Sequence, residues 1–304
     1  MSAVASGRTP GAAPVGEALS AATDALAAAG VPEARLDAEL LLVAVSGRGR
    51  ASLVADPGAP LASAETRLYG EFVRRRLRRE PLAYIVGTKG FRRIELAVDR
   101  RVLVPRPETE LLVEVALEQR PGRLLDVGTG SGAIALAVAD ELPEAAVVAT
   151  DTSAGALELA RANAARLGLE GRVRFEQGTV PEGEGFDLVL ANLPYVAARD
   201  WAGLEPEVTE WEPREALLAG PDGLDAYRAL LAPECAPAAL GCVRTSPEQL
   251  RQSANSLGGA QAIAVEIGQG QAPEVAELVR GAGFPTVEVR EDLAGIERVV
   301  VGVR

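Results

Sequence analysis

The residues with candidate chemistry sit where strands give way to turns. Asp187-Leu-Val-Leu-Ala191 reads as a buried strand that ends abruptly in Asn192-Leu193-Pro194-Tyr195. Strands of open α/β sheets deliver functional groups at their carboxyl ends, so an amide, a rigid ring and an aromatic side chain presented together call for a chemical reason. A second stretch, Asp126-Val-Gly-Thr-Gly-Ser-Gly132, follows a strand and opens a helix. Its glycines let the backbone approach a ligand closely, and the helix N-terminus favours negative charge. The spacing is G-x-G-x-G and not the G-x-G-x-x-G of dinucleotide binders. The next strand ends at Asp151, 19 residues beyond Gly132 (151 − 132), where an acid can accept both ribose hydroxyls of a nucleoside. Singly, a glycine turn is often only structural, and an acid there only a helix N-terminal charge. Together they favour a nucleoside ligand.

Composition removes many alternatives. The chain has 304 residues and no histidine, which excludes Ser-His triads, Cys-His dyads, His-ligated zinc and imidazole bases. Its two cysteines, Cys235 and Cys242, make neither a metal cluster nor a disulfide scaffold, and free thiols suit a reducing cytoplasm. A net charge of −12 disfavours extended nucleic-acid binding. The N-terminus lacks the apolar core of a signal peptide, and no uncharged apolar run is long enough to cross a membrane. No metal site is expected.

The elements that must position these groups fall into segments. Residues 1–15 read as a loose tail and residues 16–82 as a small helical bundle. Its helices end at Gly30 and Gly47, and one begins at Ser63 with acids first and arginines last. The basic run 72–80 reads as a solvated helix face or as a docking patch for an acidic partner or RNA. Residues 83–104 read as a β-hairpin linker with arms around Gly87-Thr88-Lys89-Gly90. From residue 105 to 304 strands alternate with helices, which means a mostly parallel sheet covered on both faces, closed by an antiparallel pair. Within it, Pro107 and two acids open a helix, Ser153 caps another, and Gly168 ends it. The segment 233–261 is long and polar, with no functional reading.

This layout, ending in Thr286–Leu293 and Glu297–Val303, resembles the class I S-adenosylmethionine-dependent methyltransferases. The resemblance implies a seven-stranded Rossmann-like domain preceded by the helical bundle and hairpin linker. The Asn192–Tyr195 turn is similar to the Asn/Asp-Pro-Pro-Tyr turn of methyltransferases acting on a conjugated nitrogen. Such a nitrogen attacks poorly because its lone pair is delocalised. The Asn192 side-chain oxygen can accept one N–H and a backbone carbonyl at Leu193 or Pro194 the other, which returns electron density to nitrogen and aligns it. Pro194 stiffens the turn and Tyr195 can pack on the planar group.

Four stretches narrow the resemblance to the HemK/PrmC type: Arg79–Phe91, Val102–Glu114, Asp126–Ala139 and Glu212–Leu230. That type methylates a glutamine side-chain amide, in a Gly-Gly-Gln type motif, of peptide-chain release factors. The resemblance implies S-adenosylmethionine as cofactor, held by Asp126, Gly128, Thr129, Gly130, Gly132, Asp151, Thr152, Thr179 and Asn192. It implies that Arg106, Pro107 and Glu108 close over the site, and that Asn192, Leu193, Pro194 and Tyr195 hold the substrate. The helical bundle is expected to recognise the release factor, and the protein is expected to be a cytoplasmic monomer. The chain departs from the pattern in placing Leu193 in the turn, as ribosomal RNA adenine dimethylases do. It also has Gln177 and Thr179 where the family commonly has an acid for the adenine amine. An RNA adenine-N6 methyltransferase and a repurposed, non-catalytic relative are the alternatives.

Overall fold

The computed structural model describes residues 13–232, 257 and 260–304, and by its contacts the chain divides into two units. Cys235, Cys242 and nearly all of 233–261 lie outside the described residues, as do residues 1–12. The first unit runs to Gly87 and takes in Pro206–Trp211. It contains α1 (Val15–Ala28), α2 (Ala34–Ser46), α3 (Arg50–Ala55), α4 (Ser63–Leu77) and α5 (Leu82–Val86). Val15, Leu19, Ala22 and Leu26 recur at helical spacing and form one buried stripe of α1. They join Leu41, Leu42, Leu53, Leu61 and Tyr69 in a common core. Gly30 (φ +74°) and Gly47 (φ +65°) end the first two helices in the left-handed conformation. The helical part begins at Val15, and Pro14 bridges to Pro60, so the expected loose tail does not extend through residues 13–15.

The arginines of α4 and its C-terminal flank are largely committed inside this unit. Arg76 is buried and reaches Asp37 at 2.7 Å and Glu207 at 2.7 Å. Arg79 forms a two-pronged pair with Glu207 at 2.7 and 2.6 Å, and Arg75 pairs with Glu80 at 2.6 Å. Only Arg74 and Arg78 of the run are exposed. The run 72–80 is therefore mainly internal wiring. Removing one partner of a buried pair costs about 3–5 kcal/mol.

The second unit opens with a hairpin, β1 (Thr88–Phe91) against β2 (Ile94–Ala97). It is shorter than expected and turns elsewhere. Leu82–Val86 is helical, with Tyr84 and Ile85 buried, and Gly87 (φ +85°) ends that helix without turning a hairpin. The hairpin reverses at Arg92-Arg93. Arg92 takes a left-handed φ of +50°, donates its N–H to Glu110 at 2.9 Å and pairs with Glu141 at 2.8 Å. These contacts hold a conformation that ordinarily disfavours a side chain.

The sheet follows from the alternation of α6 (Glu110–Gln119), β3 (Arg123–Val127), α7 (Ala133–Glu141), β4 (Ala146–Asp151), α8 (Ala154–Leu167), β5 (Val173–Gln177) and β6 (Leu188–Ala191). After α9 (Pro206–Thr209), which belongs to the first unit, come α10 (Asp225–Leu231), β7 (Ala262–Glu266), α11 (Ala272–Gly281), β8 (Thr286–Glu291) and β9 (Glu297–Val303). The strand order is β5-β4-β3-β6-β7-β9-β8. β9 is antiparallel to both neighbours and the other pairings are parallel. Successive residues of the central strands feed two different cores. Leu124, Leu188, Leu190 and Ala264 face the α6 and α7 side. Leu125, Val189, Ile263 and Val265 face the side of α10 and α11. Burial on both faces explains why these strands read as unbroken apolar runs. Among the described residues, no helix is long and apolar enough to cross a membrane.

Candidate active site

Strand register gathers the candidate residues. Val127 at the end of β3 pairs with Thr150 on one side and Ala191 on the other, and Ala191 pairs with Val265. The residues that follow, Gly128, Asp151, Asn192 and Glu266, therefore leave four adjacent strands in one row. Strand order reverses between β3 and β6, the switch point at which open α/β sheets bind ligands.

The glycine loop is shaped from both sides. Gly128, Gly130 and Gly132 all have positive φ, +75°, +57° and +85°. A Cβ on Gly128 would press on Leu193 at 3.2 Å, and one on Gly132 on Leu136 at 2.8 Å, whereas Gly130 faces open space. Asp151 accepts the Gly130 N–H at 2.9 Å through Oδ2 and the Ser153 N–H at 2.8 Å through Oδ1. Burial raises its carboxyl above the ordinary value. Beneath the loop, Asp126 is wholly buried and accepts the Thr129 hydroxyl at 2.6 Å and the Ala135 N–H at 3.2 Å. Burial pushes it up to about 7, and its Oδ1 has no hydrogen-bond partner. Thr152 and Thr179 are exposed at the ends of β4 and β5. The Thr152 carbonyl accepts from Gln177 Nε2 at 3.0 Å, and the Thr179 carbonyl accepts from the Thr150 hydroxyl. An open backbone face at Gly130 beside a strand-end carboxylate fits a nucleoside.

The Asn192 turn is anchored by groups the sequence did not single out. Asn192 Nδ2 donates to Thr109 Oγ1 at 3.0 Å. Thr109 is buried, and its hydroxyl works against the rise that burial causes in the Glu266 carboxyl. Glu266 is 2% exposed, its Oε2 has no hydrogen-bond partner, and burial pushes it up to about 7. Tyr195 packs on the core beside α10 and α11, and burial, with Glu266 adding, pushes its phenol up to about 12. Its carbonyl accepts from Gln271 Nε2 at 3.0 Å, while Gln271 Oε1 accepts the Gly268 N–H at 2.9 Å. Gly223 (φ +82°) lies so close that a Cβ would sit 2.3 Å from the Tyr195 carbonyl oxygen.

Of the segment ahead of α6, Arg106 is fixed by Glu212 at 2.6 Å, a buried carboxylate that also accepts the Val104 N–H at 3.2 Å. Pro107 is exposed and opens a single 3-10 turn, and Glu108 is half-buried. Sequence reasoning passed over Thr109, Glu212, Glu266 and Gln271. Glu266 did leave a signal, as the lone acid in Ala262-Ile-Ala-Val-Glu-Ile267, since charges are rarely buried without a purpose.

A sequence model described as the methyltransferase small domain matches residues 107–204, the stretch that carries the glycine loop, Asp151 and the Asn192 turn. Fold and match together define a class I methyltransferase domain. The PrmC N-terminal domain matches residues 17–87. The chain is 41% identical over 295 residues to the release factor glutamine methyltransferase of Caulobacter vibrioides, covering 95% of this chain and 96% of that one. It is 42% identical over 282 residues to that of Geobacter sulfurreducens, covering 91% and 92%. The chain belongs to the release factor glutamine methyltransferase family.

Proposed function

We propose that this protein transfers a methyl group from S-adenosylmethionine to the side-chain amide nitrogen of a glutamine in a peptide-chain release factor. The observation that carries the reading is the Asn192 amide, presented at the switch point with its nitrogen already engaged by Thr109. Its oxygen is thereby left to accept an N–H from the substrate. S-adenosylmethionine supplies, when bound, an electrophilic methyl on a sulfonium. Asp151 and the Gly128–Gly132 backbone would hold its nucleoside, while Asp126 fixes the loop through Thr129 and Ala135. Asn192, with a carbonyl of the turn, holds the amide nitrogen in line and favours the charge distribution of the transition state. Tyr195 and Pro194 set the wall against which the planar amide lies, and Arg106, Pro107 and Glu108 flank it. Methylation leaves the amide nitrogen as a strong acid whose proton passes to water, and S-adenosylhomocysteine leaves, so no strong base is needed, which suits a chain without histidine. The helical unit, which carries none of these groups, is assigned to recognising the release factor. A cytoplasmic monomer suits that task.

The test is intact-mass analysis of purified release factor incubated with enzyme and S-adenosylmethionine. A gain of one methyl group, mapped to a glutamine, is expected, and none from Asn192→Ala. Ribosomal RNA is the alternative target suggested by the Asn-Leu-Pro-Tyr turn. The charge of −12 and the commitment of Arg75, Arg76 and Arg79 to internal pairs weigh against it. Methyl transfer to RNA and none to release factor would overturn the assignment, and failure to bind the cofactor would favour a repurposed relative.

A further inference from the structure

Gln271 stands at the position that starts α11 and does not cap it. An N-cap residue ordinarily turns its side chain onto the first free N–H groups of the helix, and serine, threonine, asparagine and aspartate do so best. The Gln271 side chain makes no such bond and reaches into two other loops instead. Its Nε2 donates to the Tyr195 carbonyl at 3.0 Å and to the Gly223 carbonyl at 3.4 Å, and its Oε1 accepts the Gly268 N–H at 2.9 Å. The two carbonyls can only accept and the backbone N–H can only donate, so the carboxamide has one orientation. Two glycines clear the space. A Cβ on Gly223 would sit 2.3 Å from the Tyr195 oxygen and 2.8 Å from Gln271 Nε2. A Cβ on Gly268 would sit 3.0 Å from Tyr195 Cδ2 and 2.9 Å from Gln271 Oε1. One carboxamide therefore grips Tyr195 twice, at its carbonyl directly and at its ring through Gly268, against which the ring lies.

We propose that Gln271 is a positioning residue for methyl transfer, which holds the Tyr195 ring and carbonyl so that the Asn192–Tyr195 turn meets the substrate amide already aligned. The proposal rests on the function assigned above. The chain on either side of the turn is fixed by other means. Ala191 pairs with Val127 and Val265. Beyond the turn, the Val196 N–H donates to the Leu217 carbonyl at 2.8 Å and the Val196 carbonyl accepts the Ala219 N–H at 3.0 Å. Gln271 secures what lies between from the tyrosine side. It also occupies the Tyr195 carbonyl, so that those of Leu193 and Pro194 are the ones left for the substrate.

Two substitutions separate this role from plain support of the fold. Gln271→Glu keeps the shape and the acceptor for Gly268, but sets a carboxylate oxygen against two carbonyls where an NH2 donated. Its negative charge at the start of α11 suits the helix dipole, so Tm should stay close to native. Gln271→Ser gives α11 a capping side chain and is too short to reach Tyr195. The cap it gains offsets the hydrogen bonds it loses, so its Tm should also stay close to native. In both variants Tyr195 is released while the helix is kept.

Two measurements test this, and only the first depends on the assigned substrate. The first is single-turnover methyl transfer at saturating cofactor and varied release factor. A displacement of about 1 Å can cost on the order of 100-fold in rate, so each variant should lower the maximal rate about 10- to 100-fold. The release-factor concentration that gives half the maximal rate should change by less than about threefold, because the loss falls on the aligned state and not on docking. A native maximal rate in either variant overturns the proposal. The second measurement uses the protein alone, labelled with fluorotyrosine. The chain has four tyrosines, Tyr69, Tyr84, Tyr195 and Tyr227, and replacing each by Phe assigns its fluorine resonance. Gln271→Glu and Gln271→Ser should shift or broaden the Tyr195 resonance and leave those of Tyr69 and Tyr84 in place. A Tyr195 resonance that does not move, or movement of all four, refutes the positioning role even if methyl transfer falls. A Tyr195 resonance that moves alone, in a protein whose native form is inert on release factors, refutes only the substrate assignment.

Discussion

Asp151→Ala separates two duties that one carboxylate performs. In the structure each oxygen accepts a backbone N–H, from Gly130 at 2.9 Å and from Ser153 at 2.8 Å. A hydrogen bond to a charged group contributes about 1.5–3 kcal/mol, so their loss has a ceiling of roughly 3–6 kcal/mol. Burial, which raises the carboxyl above its ordinary value, opposes part of that, and a net loss of about 2 kcal/mol in stability is expected. The second duty is the proposed one toward the ribose hydroxyls. Losing that acceptor should cost a further ~1–3 kcal/mol of binding, about 5- to 150-fold in Kd. Thermal unfolding of the protein alone reads the first duty, and isothermal titration with S-adenosylmethionine reads the second. A lowered Tm with Kd unchanged within about twofold would show that Asp151 only staples the loop, and the ribose assignment would be wrong. No change in either would refute the reading of the loop as well.

Other outcomes follow from the same geometry. Asp126 is held at about 7 by burial against an ordinary 3.8, so the folded state binds its proton more tightly than the unfolded chain. Its contribution to stability is present below about 4 and is lost as pH rises toward about 7. Asp126→Asn keeps an acceptor for Thr129 and Ala135 and should flatten the decline of Tm over that range; an unchanged slope would assign the decline to other groups. Gly223→Ala places a methyl 2.3 Å from the Tyr195 carbonyl at a φ of +82°, and should lower Tm and abolish methyl transfer by displacing the turn; native-like activity would show that the two segments are not coupled. Asn192→Ala should lower the single-turnover rate at saturating cofactor about 100-fold or more. Leu193→Pro, which keeps the backbone carbonyl, should leave the rate nearly native, and a large loss would implicate the leucine side chain itself.

The frame of the site was legible because it depends on local signals. Glycines with positive φ, strand-ending acids and the Asn192 turn are all marked in the chain by residue type, and the alternation of strands and helices predicted where they would meet. The hairpin was misplaced because Gly87-Thr88-Lys89-Gly90 is a better turn on paper than Arg92-Arg93. Arg92 holds its left-handed backbone through Glu110 and Glu141, partners 18 and 49 residues away, and no local pattern reveals that. The basic run failed as a surface patch for the same reason: Asp37 and Glu207 reach it from distant parts of the sequence. Thr109 was hidden among the acids that flank it, and only its contact with Asn192 gives it meaning.

The helical unit is not a contiguous piece of chain. Pro206–Trp211 belongs to it, and Glu207 from that segment satisfies both Arg76 and Arg79. On the ribosome, Gly87 leaves the synthesis centre well before Pro206 is made; at about 5–20 residues per second the interval is roughly 6–24 s. Until then Arg76 and Arg79 lack the Glu207 carboxylate that pairs with both in the folded unit. Completion of the first unit thus waits on synthesis of the strands of β3 to β6, which gives the nascent chain a fixed order of assembly. A fragment ending at Gly87 reproduces the family's N-terminal domain as a stretch of sequence, but it lacks the Glu207 carboxylate that pairs with Arg76 and Arg79 in the folded unit.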